Sequence, residues 1–243
     1  MAAPSLPSRL AFVRRHTRLQ DVPDVPGLRL HLGDDVTAIW HRTGEFLGLA
    51  DPPLPYWAFA WSGGLGIARY LLDHPDEVAG RSVVDVGTGS GLCAIVAARL
   101  DAASVQAGDI DPFAAAAVEL NARANRVRVG FRGRDLVDGP PPPCDVLLAG
   151  DVSYEGPMAE RMTAWLRRAA ADGTRVLIGD PGRAYLPDGL ECVATYRART
   201  SREIEEAELT EVTVYTISSS NVTRSAPCGS TRSAIDPAER RPR

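Results

Sequence analysis

The chain has 243 residues, 44% of them hydrophobic, and a formal net charge of −4 at pH 7. This length suits one α/β domain with small additions, and the acidic balance argues against a surface that coats nucleic acid. No apolar run approaches the ~20 residues needed to span a bilayer, and no Cys-x-x-Cys pair or Cys/His cluster indicates a metal site. All 27 basic residues are arginine, so the chain contains no lysine.

Residues 1–55 are predicted to form an N-terminal addition that consists of a helix and a hairpin. The helix is predicted over residues 1–22, with apolar side chains on its inner face. The first twenty residues hold four arginines and no acid, which is also typical of an organellar transit peptide; we favour the helix because no cleavage signal accompanies the arginines. Residues 28–32 and 36–40 are predicted to pair as a hairpin across the Gly-Asp-Asp between them.

The main domain is predicted over residues 56–217 and begins with an aromatic segment. Four of the fifteen aromatic residues of the chain fall between Tyr56 and Trp61. The segment is either a hydrophobic plug over the edge of a sheet or an aromatic wall for a cationic ligand, because ring faces attract positive charge. For Tyr56, Trp57 and Phe59 both interpretations stay open. We assign Trp61 to the binding site because it opens the helix beside a glycine-rich turn.

That turn belongs to a strand, turn and helix over residues 83–98. A short β-branched apolar run predicts a buried strand, three glycines follow at alternate positions, and an Ala/Leu/Ile-rich helix comes next. Glycines allow a tight turn and let a ligand approach the backbone closely. The first turn of the helix offers free N–H groups to a bound group. The pattern is typical of the first half of a βαβ unit that binds a nucleotide.

The spacing of the glycines restricts which nucleotide can bind. A dinucleotide fingerprint requires glycine at its first, third and sixth positions, whereas the sixth position here is Leu92. A P-loop is excluded because the chain has no lysine. A carboxylate two residues before the first glycine repels a pyrophosphate but suits a ligand with an ammonium group, which favours S-adenosylmethionine; a turn that serves only packing is the alternative. The predicted cofactor-binding residues here are Asp85, Gly87, Thr88, Gly89 and Gly91.

Two further acids follow the next two predicted strands. Asp109 lies twenty residues after Gly89, which is the spacing of a carboxylate that accepts both hydroxyls of a ribose. Asp135 follows the third strand and is either an acceptor for the amino group of adenine or an ordinary loop aspartate. The neighbours Ile110 and Leu136 complete the predicted cofactor site.

A fourth strand, predicted over residues 144–150, ends in Asp151 and Tyr154. In doubly wound sheets this carboxyl edge is where ligands bind. Asp151 is therefore a candidate site residue. The alternative is a purely structural role, in which it caps the helix that begins near Tyr154.

After a fifth strand comes a loop in which Arg183 either binds an acidic surface of a substrate or pairs with Asp180. The last two strands are predicted over residues 190–196 and 212–217 as an antiparallel pair. Residues 218–243 are rich in Ser, Thr, Pro and Arg and lack periodicity, which predicts a disordered tail.

Together these motifs resemble those of the seven-β-strand protein lysine methyltransferases, and within them most closely the electron transfer flavoprotein beta-subunit lysine methyltransferase family and its bacterial relatives. The resemblance covers about residues 28–217. It implies an α/β, Rossmann-like class I methyltransferase fold: a seven-stranded, mostly parallel sheet with helices on both faces. The segments that carry it are residues 57–61, 85–91, 109–112, 150–155 and 179–183.

The resemblance implies in-line methyl transfer from S-adenosylmethionine to a neutral lysine amine of a protein such as the electron transfer flavoprotein beta subunit. Asp151, or backbone carbonyls beside it, would then orient the amine and accept its proton, and Tyr154 would orient it by a hydrogen bond and line the channel. Asp151 and Tyr154 are the predicted catalytic residues. A small-molecule N-methyltransferase acting on an amine or a nicotinamide-like ring is the alternative, and a non-catalytic cofactor-binding module is a third. We expect a cytoplasmic monomer that acts on an exposed lysine, without nucleic acid, membrane or metal.

Overall fold

The computed structural model describes residues 4–200 and 209–217, so the tail predicted over residues 218–243 lies outside the described residues. Across the described ranges, every helix is too short or too polar to cross a lipid bilayer. The α-helices are α1 (Leu6–His16), α2 (Val36–Leu47), α3 (Ser62–Asp73), α4 (Leu92–Arg99), α5 (Pro112–Ala124) and α6 (Gly156–Ala171). Two short 3-10 helices span Tyr56–Ala58 and Pro75–Glu77.

Strands β1 (Arg18–Asp21) and β2 (Arg29–Leu32) form a separate two-stranded sheet. The other seven strands are β3 (Ser82–Val86), β4 (Ser104–Gly108), β5 (Gly130–Arg132), β6 (Val146–Gly150), β7 (Arg175–Asp180), β8 (Glu191–Arg199) and β9 (Leu209–Thr216). They form the main sheet in the order β5-β4-β3-β6-β7-β9-β8, in which β9 runs opposite to the other six strands. The predicted seven-stranded, mostly parallel sheet is therefore confirmed, including its antiparallel last pair.

Helices cover both faces of this sheet, but unequally. Helices α3, α4 and α5 pack on one face and α6 packs on the other. Strand β6 shows the alternation that results: Val146 and Leu148 belong to the α3/α4 side, whereas Leu147 and Ala149 belong to the α6 side. A central strand that is buried on both faces has a continuous run of apolar residues, which is why β6 could be predicted from the sequence.

The N-terminal helix is shorter than predicted, and the predicted hairpin is wrong. Helix α1 ends at His16, and β2 pairs with the preceding β1, in the register Arg18 opposite Leu32. The segment after β2 is helix α2 instead of a strand. The reason is a helix cap, since the Asp35 carboxylate accepts the N–H of Ala38 at 2.8 Å. An aspartate placed there satisfies a free N–H of the first turn and favours a helix over a hairpin.

Helix α1 is part of the folded body. Phe12 and Val13 are buried, and the ring of Phe12 lies 5.2 Å from that of Phe113 on α5. The helical interpretation of the arginine-rich N-terminal segment is thus the one that the structure supports.

Candidate active site

The carboxyl ends of β3, β4 and β6 open into a cavity of about 520 Å³, a volume within the range of small-molecule sites. The order in which successive strands are added to the sheet reverses between the parallel neighbours β3 and β6, and open α/β sheets bind ligands at such a point. Two predicted site residues, Asp85 and Gly91, lie outside the lining of this cavity. Those that line it are Trp61, Gly87, Thr88, Gly89, Asp109, Ile110, Asp135, Leu136, Asp151 and Tyr154.

The glycine-rich turn requires glycine for two reasons, its backbone φ angles and the atoms that lie close to it. Gly89 and Gly91 have φ angles of +51° and +83°, which L side chains rarely adopt. A Cβ at Gly89 would lie 3.3 Å from the carbonyl oxygen of Tyr56, and one at Gly91 would lie 3.0 Å from a methyl of Val118. The first contact is at the cavity and the second is behind it. Gly89 thus keeps the cavity wall open to a ligand, and Gly91 lets α4 begin close to α5.

Asp85 supports this turn from the side that faces away from the cavity. Its carboxylate is 2% exposed and accepts hydrogen bonds from the hydroxyl of Thr88 at 2.5 Å and the N–H of Ala94 at 3.1 Å. Burial away from any paired cation raises its pKa to about 7. Its described partners join the turn to the first turn of α4, so direct contact between Asp85 and a ligand ammonium stays a prediction.

Asp109 faces the same turn from the next strand. One carboxylate oxygen accepts the N–H of Gly89 at 2.9 Å, and the other accepts the N–H of Asp111 at 2.9 Å. Burial raises the pKa of this carboxyl. Each carboxylate oxygen can accept a second hydrogen bond, so the pair can still receive two ribose hydroxyls. Beside it, Ile110 is 72% exposed at the rim of the cavity and offers a flat apolar surface.

The two interpretations of Asp135 are compatible in the structure. Its carboxylate accepts the N–H of Val137 at 2.9 Å and pairs with the guanidinium of Arg161 at 3.1 Å, as a loop aspartate would. It also lines the cavity, so adenine recognition stays a prediction. Leu136 is buried against Gly108, where a Cβ would lie 2.4 Å from the Leu136 side chain.

The aromatic segment combines the two roles considered for it. Trp57 and Phe59 are buried, and Trp57 stacks on Phe113 with ring centres 5.4 Å apart. All four aromatic residues of the segment also line the cavity, where the indole N–H of Trp61 donates to the carbonyl oxygen of Tyr56 at 3.0 Å. The segment is therefore both a hydrophobic plug and an aromatic wall of the cavity.

Asp151 stands across the cavity from the glycine-rich turn. It accepts the N–H of Gly64 at 3.0 Å, the hydroxyl of Ser62 at 3.4 Å and the guanidinium of Arg183 at 2.9 Å. Burial raises its pKa, and the charge of Arg183 opposes that rise. The prediction that it caps the helix near Tyr154 is wrong, since its carboxylate satisfies the first turn of α3 and α6 begins after Glu155.

Two glycines make this contact possible. A Cβ at Gly63 would lie 2.7 Å from a carboxylate oxygen of Asp151 and 2.2 Å from the carbonyl oxygen of Gly179. A Cβ at Gly179 would in turn lie 2.1 Å from the carbonyl oxygen of Gly63. Helix α3 therefore begins directly against the ends of β6 and β7.

Arg183 is a site residue whose role the sequence left undecided. Its guanidinium pairs with Asp151, whereas Asp180 accepts the backbone N–H of Arg183 at 2.7 Å. The signal that could have identified this pair is topological: Asp151 and Arg183 follow parallel strands that are neighbours in the sheet. Their side chains meet because carboxyl ends of parallel strands share one edge.

Tyr154 forms the outer edge of this wall. Its side chain is 44% exposed, and its ring centre lies 5.1 Å from that of Tyr56. Burial and the hydroxyl of Tyr56 raise the pKa of Tyr154 to about 12, so it stays protonated at neutral pH. In the described part of the chain, the His, Cys, Asp and Glu side chains form no group of three or more that could hold a metal ion.

Comparison with known proteins places this geometry among methyltransferases. The family profile of ribosomal protein L11 methyltransferase (PrmA) matches residues 70–150. The electron transfer flavoprotein beta subunit lysine methyltransferase of Xenopus laevis is 36% identical over 212 residues, covering 84% of this chain and 85% of that protein. The human protein of that name is 33% identical over 217 residues, covering 86% and 82%.

Among solved structures, a candidate RNA methyltransferase from Pyrococcus horikoshii superimposes with a TM-score of 0.50. The two are 15% identical, and the match covers 70% of this chain and 90% of that one. At this level of identity the likeness is one of fold.

Proposed function

Since the chain belongs to the electron transfer flavoprotein beta subunit lysine methyltransferase family, we propose that it methylates a lysine side chain of a protein and that the electron transfer flavoprotein beta subunit is its substrate. The chain is an S-adenosylmethionine-dependent methyltransferase of the class I fold. The proposal rests on the observation that two groups of residues line one cavity. Asp109 and the glycine-rich turn form the first wall, and Asp151, Tyr154 and Arg183 form the second wall.

The first wall fits S-adenosylmethionine. Gly89 leaves backbone exposed where a side chain would crowd the carbonyl of Tyr56, and the Asp109 carboxylate has acceptor capacity for a ribose. When bound, this cofactor supplies a methyl group that is activated by the positive charge on its sulfur. The wall's own contribution would be to hold the adenosine of this cofactor at the glycine-rich turn and Asp109.

The second wall suits a lysine amine. A free lysine has a pKa of about 10.4 and must lose its proton before it can attack. The positive charge of Arg183 and the rings of Tyr56 and Tyr154 favour the neutral amine, because a like charge and desolvation both lower its pKa. The protonated hydroxyl of Tyr154 can accept an N–H of the amine and orient its lone pair.

Asp151 then contributes charge at a fixed position. As the carbon–nitrogen bond forms, positive charge develops on the nitrogen, and a carboxylate held nearby stabilises it. Its hydrogen bonds to α3 and to Arg183 hold it in place before the reaction begins. Alignment of nucleophile, methyl carbon and leaving sulfur supplies much of the acceleration, for which positioning alone can account for roughly 7–11 kcal/mol.

The exposure of the second wall supports a macromolecular acceptor. A small-molecule enzyme favours a closed pocket, which excludes water around its whole substrate. Tyr154 is 44% exposed and Leu54, which also lines the cavity, is 48% exposed. A lysine side chain that enters from a protein surface needs such an opening.

The test is transfer of label from tritiated S-adenosylmethionine into a lysate of the source organism and into purified electron transfer flavoprotein, resolved by gel and mass spectrometry. We expect a labelled lysine in the beta subunit, and no label when Asp151→Ala replaces the native enzyme although cofactor still binds. Because the enzyme has no lysine, its own band provides no background. Label confined to the small-molecule fraction would contradict the proposal.

A further inference from the structure

A row of arginines follows the outer edge of the main sheet. The segment from residue 126 to residue 134 contains four arginines and no acidic residue. All four side chains are exposed, and β5, in the middle of the segment, is the edge strand. We name this set the arginine edge: Arg126, Arg128, Arg132 and Arg134.

The arginine edge flanks a part of the sheet that helices leave uncovered. Phe131 packs toward α5, so its neighbour Arg132 projects to the opposite face, because side chains alternate along a strand. There the Arg132 guanidinium donates to the side-chain oxygen of Gln106 on β4 at 3.0 Å. Helix α6 packs over β6 and β7, and among the described residues no helix lies over β4 and β5 on this face.

The arginine edge also leads into the candidate active site. At its upper end the carbonyl oxygen of Arg132 accepts the N–H of Asp109 at 3.2 Å, and Arg134 lines the cavity. A chain lying along β5 would therefore reach the cavity mouth without crossing another element.

The charge of the arginine edge is not neutralised within the described part of the chain. Some exposed arginines elsewhere form ion pairs, as Arg18 does with Asp34 and Arg199 does with Asp24. None of the four arginines of the edge pairs with a described acid. This concentration of positive charge stands on a protein whose net charge is −4.

We propose that the arginine edge docks an acidic segment of the protein substrate that flanks the target lysine. This inference rests on the proposed function and adds the chemistry by which the substrate is recognised. Guanidinium groups bind carboxylates with paired hydrogen bonds, and complementary charge at the rim of an interface steers association and sets register. RNA is the other common polyanion, but the negative net charge opposes its approach.

The test compares two variants that remove equal charge. One carries Arg126→Ser, Arg128→Ser and Arg132→Ser; Arg134 is retained because it lines the cavity. The control carries Arg14→Ser, Arg15→Ser and Arg168→Ser, which are exposed arginines away from the edge. Each is assayed on the electron transfer flavoprotein beta subunit and on two peptides whose central lysine is flanked by glutamates or by glutamines.

We expect the edge variant to lose about tenfold in kcat/KM for the protein, as the sum of three modest rim interactions, while the control keeps native values. The native enzyme should prefer the glutamate peptide, the preference should weaken with added salt, and the edge variant should lack it. The dissociation constant of S-adenosylhomocysteine and the midpoint of thermal unfolding should each be the same for the native enzyme, the edge variant and the control variant.

Equal kcat/KM for the edge and control variants would overturn docking and leave the arginines as protection of an edge strand. Tight binding of a 20-nucleotide RNA that only the edge variant loses, with methylation of protein unaffected, would overturn the acidic-protein occupant. Failure of native enzyme to methylate any lysine, with S-adenosylhomocysteine bound, would instead overturn the proposed function and with it this inference.

Discussion

The two walls of the cavity are built in different ways. The cofactor wall, formed by the glycine-rich turn at residues 87–91 and by Asp109, comes from one βαβ unit and is held by hydrogen bonds to backbone N–H groups. The acceptor wall, formed by Asp151, Tyr154 and Arg183, is held by side chains and helix ends that are far apart in sequence. The first wall is therefore a local device, and the second exists only after the sheet has assembled.

Two buried aspartates, one behind the cofactor wall and one in the acceptor wall, differ in the charge of the groups that hold them. Asp85 supports the cofactor wall through Thr88 and Ala94, which are neutral partners, and burial raises its pKa to about 7. Asp151 in the acceptor wall is held by the cation of Arg183, which opposes the rise that burial causes. A charged partner favours the ionised form of a buried carboxylate, and the role proposed for Asp151 in methyl transfer uses that form.

The largest effect should come from removing that charge. Asp151→Asn keeps an acceptor for the N–H of Gly64 but removes the negative charge that pairs with Arg183. We expect kcat for protein methylation to fall by about a thousandfold, the size typical of a lost group that acts in the transition state. Affinity for S-adenosylhomocysteine, measured by calorimetry, should stay within about threefold because the cofactor wall is intact.

The outcome has to be separated from a folding defect. Thermal unfolding of the Asp151→Asn variant is the control, since removal of one member of a largely buried ion pair destabilises a protein. A folded variant with native kcat would show that the acceptor wall works without this carboxylate.

The second prediction breaks the other wall. Asp109→Ala removes the carboxylate assigned to the ribose, and we expect the dissociation constant of S-adenosylhomocysteine to rise by about a hundredfold, as for lost hydrogen bonds to a charged group. With cofactor in excess, kcat should recover to within a few-fold of native. Equal losses in binding and in kcat at saturation would mean that the two walls do not act separately.

The cofactor wall could be predicted from sequence because its determinants are local. Gly89 and Asp109 are joined by a hydrogen bond, and a βαβ unit fixes the spacing that places them together. The acceptor wall was predicted only in part. Asp151 and Tyr154 follow one strand, but the contact between Asp151 and Arg183 depends on which strands become neighbours.

The N-terminal addition was the least predictable part of the fold. Residues 36–40 alternate well enough for a strand, and the cap that makes them a helix is one side chain, Asp35. Strand β1 was not predicted. Its partner β2 was predicted to pair with the segment that follows β2, residues 36–40, whereas in the structure β2 pairs with the segment that precedes it. Short strands with a mixed pattern leave register and partner unspecified.

The third prediction tests what Arg183 contributes. Arg183→Met removes a cation that lowers the pKa of Asp151, so the pKa of that carboxyl should rise further. Since the ionised form is the active one, the acidic limb of the kcat–pH profile should move to higher pH, with about a tenfold loss near neutrality. Arg183→Lys is the matched control and should restore much of the native profile. An unshifted limb in the Met variant would sink the electrostatic role.

The fourth prediction concerns stability and the brace of the cofactor wall. The folded pKa of Asp85, about 7, lies above the ordinary value of an aspartate, 3.8. Its contribution to stability is therefore present below pH 4 and is lost as the pH rises through about 7, at roughly 1.4 kcal/mol per pH unit within that window. Asp85→Asn should flatten the decline in the free energy of unfolding, followed by urea titration at several pH values. The exposed Asp145 has a lowered pKa, so Asp145→Asn should change the slope in the opposite direction.

The smallest expected effect lies at the open edge of the acceptor wall. Tyr154→Phe removes a hydroxyl that lies beside Tyr56 and faces the predicted amine channel, while the ring that lines the channel stays. We expect kcat to fall about threefold, which is the cost of one neutral hydrogen bond near solvent. Tyr56→Phe and the double variant complete a cycle. If Tyr154 orients the amine itself, its loss should exceed that of Tyr56; equal single effects with no further loss in the double variant would mean that the hydroxyl pair only stiffens the wall.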